Sequence, residues 1–144
     1  MIRNLLLLAL LALVVLPAGA AAPTDPPPNV EGTKGEPPPA WAVGSGTDTW
    51  LAYSSFCWRT TCVTFLPPNR RDDVPTVKAR RGAFLVIHLG FDPRWVKVRH
   101  LASGTSFPLV AAAVTRWRVR RAGLISIETR GSGGTASYLA RVDY

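Results

Sequence analysis

The chain has 144 residues, and its 17 Lys and Arg residues outnumber the nine Asp and Glu residues, which gives a net charge of +8 at pH 7. It contains only two cysteines and two histidines, and the six carboxylates after residue 40 are Asp48, Asp72, Asp73, Asp92, Glu128 and Asp143. This composition leaves few groups from which a metal centre or an acid–base pair could be built. We therefore expect no metal, no cofactor and no catalytic residue.

The first twenty residues have the parts of a secretory signal peptide. Arg3 supplies a positive start, residues 5–16 are uninterrupted apolar residues, and the small residues Ala18 and Ala20 follow a proline. An apolar run of about a dozen residues is shorter than the roughly 20 that a membrane-spanning helix needs. The pattern predicts a signal peptide over residues 1–20, cleaved after Ala20, and a protein that is secreted or held in the cell envelope.

Residues 21–40 contain two Pro triplets and almost no large apolar side chain. Such a segment cannot bury enough surface to offset its chain entropy, and its prolines favour the polyproline II conformation. We predict a disordered Pro-rich linker, which serves as a spacer or as a docking peptide. The remaining residues, 41–144, number about one hundred, which is an ordinary size for one domain.

The domain alternates apolar and polar residues with a period of two, which is typical of strands with one buried face. In chain order the predicted strands are DTWLAYSSF (48–56), TCVTF (61–65), AFLVIHL (83–89), WVKVRH (95–100), TRWRVR (115–120), ISIETR (125–130) and YLARVDY (138–144). The run AFLVIHL is apolar on both faces and predicts a central strand, with the first two runs as its neighbours. Only PLVAAAV (108–114) could be a helix, and it could equally begin the strand through Trp117. Turn residues between these runs predict an all-β fold, an antiparallel β-sandwich.

Cys57 and Cys62 are separated by the four residues WRTT. A redox motif has two residues between its cysteines at the start of a helix, and a structural zinc site needs about four ligands. The pattern favours a cross-strand disulfide, because opposed hairpin residues have Cα atoms about 4.5 to 5.5 Å apart. This staple would hold Trp58 and Arg59 at the hairpin tip, where we predict that they bind a partner.

Two longer runs carry a resemblance to a known class of domain. FDPRWVKV and WRVRRAGLISIETRGSGGTASYLARV resemble the second half of bacterial immunoglobulin-like β-sandwich domains, and SSFCWRTTCVTF is similar to an opening hairpin of small exported bacterial proteins. The resemblance implies an immunoglobulin-like sandwich and brings no catalytic residue with it. Antibody-type domains place their cysteines far apart on two sheets, so the close pair here departs from that pattern.

The basic residues point to a binding surface. Arg116, Arg118 and Arg120 alternate along one predicted strand, and Arg121 follows them at a turn. Guanidinium groups bind carboxylates and phosphates in a fork geometry, so this face predicts contact with an anionic envelope polymer, a membrane surface or an acidic protein partner. Four further cations would extend the face if their strands are neighbours: Arg80, Arg81, Lys97 and Arg99. Alternatively, the charges only keep an outer face solvated and protect a sheet edge.

The tryptophans among these cations have different expected positions. Trp117 alternates with the arginines and should therefore point into the core. Trp95 shares a predicted strand with Lys97 and Arg99 and could form an aromatic and basic spot on the surface, so we include it among the candidate binding residues. We expect no nucleic acid partner, because the protein is predicted to be exported.

For catalysis the only constellation of interest surrounds His100, which precedes Ser103, Thr105 and Ser106. No G-x-S-x-G elbow, phosphate loop, dinucleotide fingerprint or HExxH helix accompanies it. His88 lies in the most apolar run and is predicted to be a packed histidine. We predict a non-catalytic accessory or binding module. The alternatives are a small exported hydrolase or lyase that uses His100, and a structural module that pairs through an exposed sheet edge.

Overall fold

The structure, a computed structural model, describes residues 21–27 and 35–144. Within these residues the chain forms eleven strands and one short 3-10 turn, Pro68–Arg70. The strands are β1 (Trp41–Val43), β2 (Asp48–Trp50), β3 (Ala52–Trp58), β4 (Thr61–Thr64), β5 (Thr76–Lys78), β6 (Phe84–His88), β7 (Trp95–His100), β8 (Ser106–Leu109), β9 (Val114–Arg118), β10 (Gly123–Gly131) and β11 (Gly134–Asp143). The predicted all-β class is confirmed. The predicted signal peptide, residues 1–20, lies outside the described residues.

The strands form two sheets with a sandwich-like arrangement. The four-stranded sheet has the order β2-β1-β6-β9, and the seven-stranded sheet has the order β4-β3-β11-β10-β7-β8 with β5 beside β11. All pairs are antiparallel except β5 with β11. The predicted antiparallel arrangement is therefore confirmed for every other pair.

The core lies between the two sheets and consists of the inward residues of the alternating runs. Leu85 and Ile87 of β6 and Ile125 and Ile127 of β10 are all completely buried. Burial of such a side chain contributes about 1.5 to 3 kcal/mol relative to leaving it in water. Trp117 of β9 also points inward, as its alternation with the arginines predicted, and is 3% exposed.

The predicted neighbours of the central strand are wrong. β6 is central in the four-stranded sheet, but β1 and β9 flank it, whereas β3 and β4 belong to the other sheet. The reason is that residues 48–58 pass from one sheet to the other. Only Leu51 separates β2 from β3, and its amide bonds to the Ala40 carbonyl at 2.9 Å instead of a partner in either sheet.

The segment 108–114 adopts the extended alternative, not a helix. Pro108 lies in β8, and β9 begins at Val114. β8 is an edge strand of its sheet. An edge position suits proline, because proline has no N–H group to donate to a further strand.

The second Pro triplet of the predicted linker packs against the sandwich. The Tyr53 hydroxyl donates to the Pro37 carbonyl at 2.6 Å, and the Tyr138 hydroxyl donates to the Pro38 carbonyl at 2.7 Å. Ala40 is completely buried. Near the first triplet, the Trp50 indole donates to the Asp25 carbonyl at 2.5 Å. The boundary at residue 40 stays a prediction, and these contacts couple both described parts of the segment to the domain.

Candidate functional site

The strand β9 forms one edge of the four-stranded sheet and carries the predicted arginine face. Arg116 and Arg118 are exposed, whereas Thr115 and Trp117 beside them are buried. The alternation continues past the end of the strand, where Val119 is buried and Arg120 is exposed. The edge strand thus presents guanidinium groups outward and apolar groups inward.

Two further arginines lie beside this edge. The turn at residues 80–83 bonds to the segment after β9, because the Gly82 amide donates to the Val119 carbonyl at 2.7 Å and the Val119 amide donates to the Ala83 carbonyl at 2.9 Å. Gly82 adopts a φ of 82°, a left-handed conformation that favours glycine. The turn therefore brings Arg80 and Arg81, both exposed, to the end of β9.

We name these six exposed cations the arginine corner, and its members are Arg80, Arg81, Arg116, Arg118, Arg120 and Arg121. Among the described residues none of the six is in an ion pair. Two of them lie over aromatic rings: Arg118 is 5.0 Å from the Phe84 centroid, and Arg120 is 5.6 Å from the Phe107 centroid. Uncompensated like charges at one corner create a positive potential that attracts anions.

Lys97 and Arg99 do not extend this corner. Their strand, β7, belongs to the seven-stranded sheet, whereas β9 belongs to the other. Both cations pair with Glu128, at 2.7 Å from Lys97 and 3.3 Å from Arg99. Trp95 does share their face and is 40% exposed, with the Lys97 ammonium 5.6 Å from its ring centroid. This spot is separate from the arginine corner and partly neutralised.

A pocket of about 250 Å³ opens beside the arginine corner, where the edge strands β8 and β9 of the two sheets approach each other. We name it the corner pocket, and its lining residues are His100, Ser103, Thr105, Phe107, Trp117, Arg120 and Arg121. No carboxylate lines it. Two of the predicted binding residues, Arg120 and Arg121, therefore meet His100 and two hydroxyl residues in one place.

His100 is fixed at the end of β7 and is 4% exposed. Its Nε2 lies 3.0 Å from the Ala122 carbonyl oxygen. Since a carbonyl only accepts hydrogen bonds, Nε2 must carry a hydrogen. The other ring nitrogen, Nδ1, is buried without a hydrogen-bond partner among the described residues. Gly123 permits this close approach, because a Cβ atom there would lie 3.0 Å from Nε2.

The hydroxyl residues lie on the tight turn that joins β7 to β8. The His100 amide donates to the Thr105 carbonyl at 2.9 Å, and the Gly104 amide donates to the His100 carbonyl at 2.8 Å. The Ser103 hydroxyl oxygen accepts from the Thr105 amide at 3.3 Å. The hydrogen of that hydroxyl therefore remains available to donate outward.

The hairpin of β3 and β4 has a shorter tip than the four-residue loop considered from the sequence. Trp58 pairs with Thr61, so the loop consists of Arg59 and Thr60. Cys57 and Cys62 are paired and form a disulfide, with Cα atoms 4.0 Å apart. Both cysteines are exposed. The predicted staple across the hairpin is thus present, and it is not part of the corner pocket.

Trp58 turns inward from the hairpin tip and is 6% exposed. Its ring packs 4.9 Å from Phe91, and a Cβ atom on Gly133 would lie 2.3 Å from the indole. Arg59 remains exposed with a φ of 54°, a positive value of the kind that tight two-residue hairpin loops use at their first position. The structure brings neither residue to the arginine corner.

A second opening, of about 330 Å³, lies at the loop after β4. It is lined by Phe65, Leu66, Arg70, Arg71, Asp72 and Asp73. The Arg71 guanidinium is already bound through two 2.7 Å contacts to the Asp73 carboxylate and lies over the Phe65 ring. This opening therefore offers less net positive charge than the corner pocket.

Residues 21–27 and 35–144 hold no cluster of three or more His, Cys, Asp or Glu side chains that could bind a metal ion. None of the helical segments in this part of the chain has the length and apolar character to cross a bilayer.

One residue of the corner pocket was missed by the sequence reasoning. Phe107 lies on β8, a strand of only four residues, one of which is a proline. The alternation of Phe107 and Leu109 with polar or proline positions was the available signal.

Comparison with known proteins finds no family model, no curated protein and no solved structure that matches this chain.

Proposed function

We propose that this protein is a non-catalytic binding module whose arginine corner holds an anionic polymer of the cell envelope. The observation that carries the proposal is the group of six exposed arginines without ion pairs among the described residues. Guanidinium groups suit carboxylate and phosphate because of their fork of donors. An acidic protein or an anionic membrane surface would be attracted by the same charges, and both are alternative partners in the test below.

The export and the immunoglobulin-like character of the domain are parts of the same proposal. A disulfide persists in oxidising compartments, so the Cys57–Cys62 bond supports a location outside the cytosol. The predicted signal peptide points in the same direction. The two packed sheets are compatible with an immunoglobulin-like sandwich, and that kinship rests on the sequence resemblance.

The proposal is tested by retention on a carboxymethyl-dextran resin. Arg116, Arg118 and Arg120 are changed together to Ser, and the matched control changes Arg94, Arg130 and Arg141, which are also exposed but lie elsewhere. Both triple variants lose three positive charges, so simple ion exchange affects them equally. We expect the first variant to elute at clearly lower salt than the control, because surface attraction is screened by salt. Equal elution of the two variants would remove the proposal.

Partner classes are separated with the same variants. Two probes replace the resin in separate experiments. One is a vesicle that contains anionic lipid, and the other is soluble polyglutamate. Binding that depends on the arginine corner only with vesicles, or only with the polypeptide, would reassign the surface to a membrane or to an acidic protein.

A second candidate function is a small hydrolase or lyase that uses His100. The supporting observation is that His100, Ser103 and Thr105 line one pocket. A base in this site would lack an acidic orienting group, because the pocket has no carboxylate. Hydrolysis of ester or glycoside substrates by wild-type protein, abolished in His100→Asn and retained when only Arg116 and Arg118 are changed to Ser, would favour this function over binding.

A further inference from the structure

We propose that the corner pocket binds one oxyanion group, a carboxylate or a phosphate, carried by a single sugar unit of the polymer. This inference rests on the proposed function and adds the unit that is recognised. The arginine corner would supply attraction along the chain of the polymer, and the pocket would select its acidic group.

The lining of the corner pocket is the first argument. Four of its five polar side chains carry donors for a ligand, two guanidinium groups and two hydroxyls. The fifth, His100, directs its Nε2 hydrogen to the Ala122 carbonyl. With no carboxylate in the lining, nothing there offsets the charge of a cation, whereas an oxyanion would find several donors. The donor set therefore fits an anion and does not fit a metal ion or an ammonium group.

The position of Arg120 is the second argument. Its guanidinium lies over the Phe107 ring, and Phe107 packs 6.5 Å from Trp117 between centroids. An aromatic support of this kind restricts the guanidinium before a ligand arrives. A pre-oriented fork loses less freedom when it binds an oxyanion.

The state of His100 is the third argument. The residue is only 4% exposed, and Nδ1 has no partner among the described residues. Buried polar atoms in folded proteins are nearly always hydrogen-bonded. Because Nε2 carries the ring hydrogen, Nδ1 is an acceptor, so the partner it could take is a hydroxyl of the sugar ring and not the oxyanion. His100 thereby gives the pocket a built polar wall in addition to its exposed arginines.

The size of the pocket limits what can enter. About 250 Å³ is smaller than the roughly 300–1,000 Å³ of sites that hold drug-sized molecules. One acidic group with part of its sugar ring fits this volume, whereas an oligomer would have to continue outside. Arg120 belongs to both the pocket and the arginine corner, so a longer chain could continue along β9.

The test uses isotope-labelled mature protein and three small probes: glucuronate, glucose 6-phosphate and glucose. Binding is followed by the amide shifts of Ser103, Gly104 and Thr105 and by the ring signals of His100. We expect shifts with one or both acidic sugars and none with glucose. A response to glucuronate alone assigns a carboxylate, and a response to glucose 6-phosphate alone assigns a phosphate. No shift with either acidic probe, or equal shifts with glucose, would overturn the inference.

Two variants separate this inference from the proposed function. Arg120→Lys keeps the charge but loses the fork, and Ser103→Ala with Thr105→Val removes both hydroxyls without a change of charge. Each removes at least one hydrogen bond to a charged group and should weaken acidic-sugar binding about tenfold or more. Retention on the resin should stay near wild type in the Ser103→Ala, Thr105→Val variant, which leaves the arginine corner unchanged. Arg94→Lys is the matched control. Unaltered sugar affinity in both test variants would overturn the pocket and leave the arginine corner intact.

Discussion

Arg120 and Phe107 join the two sheets at their edges: the guanidinium carbon lies 5.6 Å from the ring centroid. Arg120 follows the edge strand of the four-stranded sheet, and Phe107 belongs to the edge strand of the seven-stranded sheet. The contact therefore couples the basic surface to the aromatic wall of the corner pocket.

The coupling between these two residues is measurable by a double-mutant cycle. Phe107→Leu, Arg120→Ser and the combined variant are unfolded in denaturant and their free energies of unfolding compared. We expect an interaction energy of about 0.5 to 1 kcal/mol, as for exposed cation–π pairs. Strictly additive effects would mean that the guanidinium does not rest on the ring.

Removal of the hairpin staple should destabilise the domain without altering the arginine corner. Cys57→Ser with Cys62→Ser removes the link between β3 and β4. The closed loop is short, so the expected loss in free energy of unfolding is below the about 3 kcal/mol of a fifteen-residue loop. Reduced wild-type protein is the control and should be destabilised by the same amount. Free thiols in untreated wild-type protein would contradict the account of the hairpin.

Alkaline pH should weaken the fold through Tyr53 and Tyr138. Burial raises the pKa of Tyr53 above its usual value, and the nearby Glu36 carboxyl raises it further. Burial likewise raises the pKa of Tyr138, with Tyr53 as a second cause. The unfolded tyrosines ionise near pH 10, so their contribution is complete below that pH and is lost as the pH rises above it. The slope should approach about 1.4 kcal/mol per pH unit for each tyrosine.

The tyrosine prediction is checked by denaturant unfolding at pH 9, 10 and 11. Tyr53→Phe and Tyr138→Phe should each flatten the alkaline decline, and each should cost about 0.5 to 1.5 kcal/mol at pH 7 for the lost hydrogen bond to a proline carbonyl. The same decline in the double Phe variant would assign the alkaline effect to other groups.

Mildly acidic pH should weaken the fold through His88. Its ring stacks on Trp41 with centroids 3.6 Å apart, and Nε2 is buried without a partner among the described residues. Burial lowers the pKa of His88, although the Asp48 carboxylate acts in the opposite direction. The unfolded histidine therefore takes up a proton first, and stability falls as the pH drops below about 6.5. His88→Phe, which keeps a stacked ring, should lose this dependence between pH 7.5 and 5.5; an unchanged curve would contradict it.

The arginine edge was predictable from the sequence because a period of two assigns each residue of a strand to one face. Arg116 and Trp117 lie on opposite sides of β9, as that rule requires. The disulfide was predictable for a related reason, since both cysteines belong to one local hairpin. The face on which each arginine lies and the pairing of the cysteines both depend mainly on residues close together in the sequence.

The sequence grouped His100 with Ser103 and Thr105, but the complete corner pocket was not predictable, because it combines residues from strands of different sheets. Nothing in the spacing of Phe107 and Arg120 indicates that β8 and β9 meet at the edges of the sandwich. The inward position of Trp58 was also missed, since it depends on a loop of two residues and on the space above Gly133. Contacts between distant segments can be predicted only when the strand order is known. The sequence does not indicate that order, because nothing in it shows that the chain passes from one sheet to the other at Leu51.

The central claim is tested most directly by affinity for a soluble polyuronate measured at several salt concentrations. Wild-type protein, the Arg116, Arg118 and Arg120 to Ser variant, and the Arg94, Arg130 and Arg141 to Ser variant are compared. The account predicts that only the first variant loses most of its affinity and has a shallower dependence on salt. Equal affinity and equal salt dependence for the two variants would contradict it.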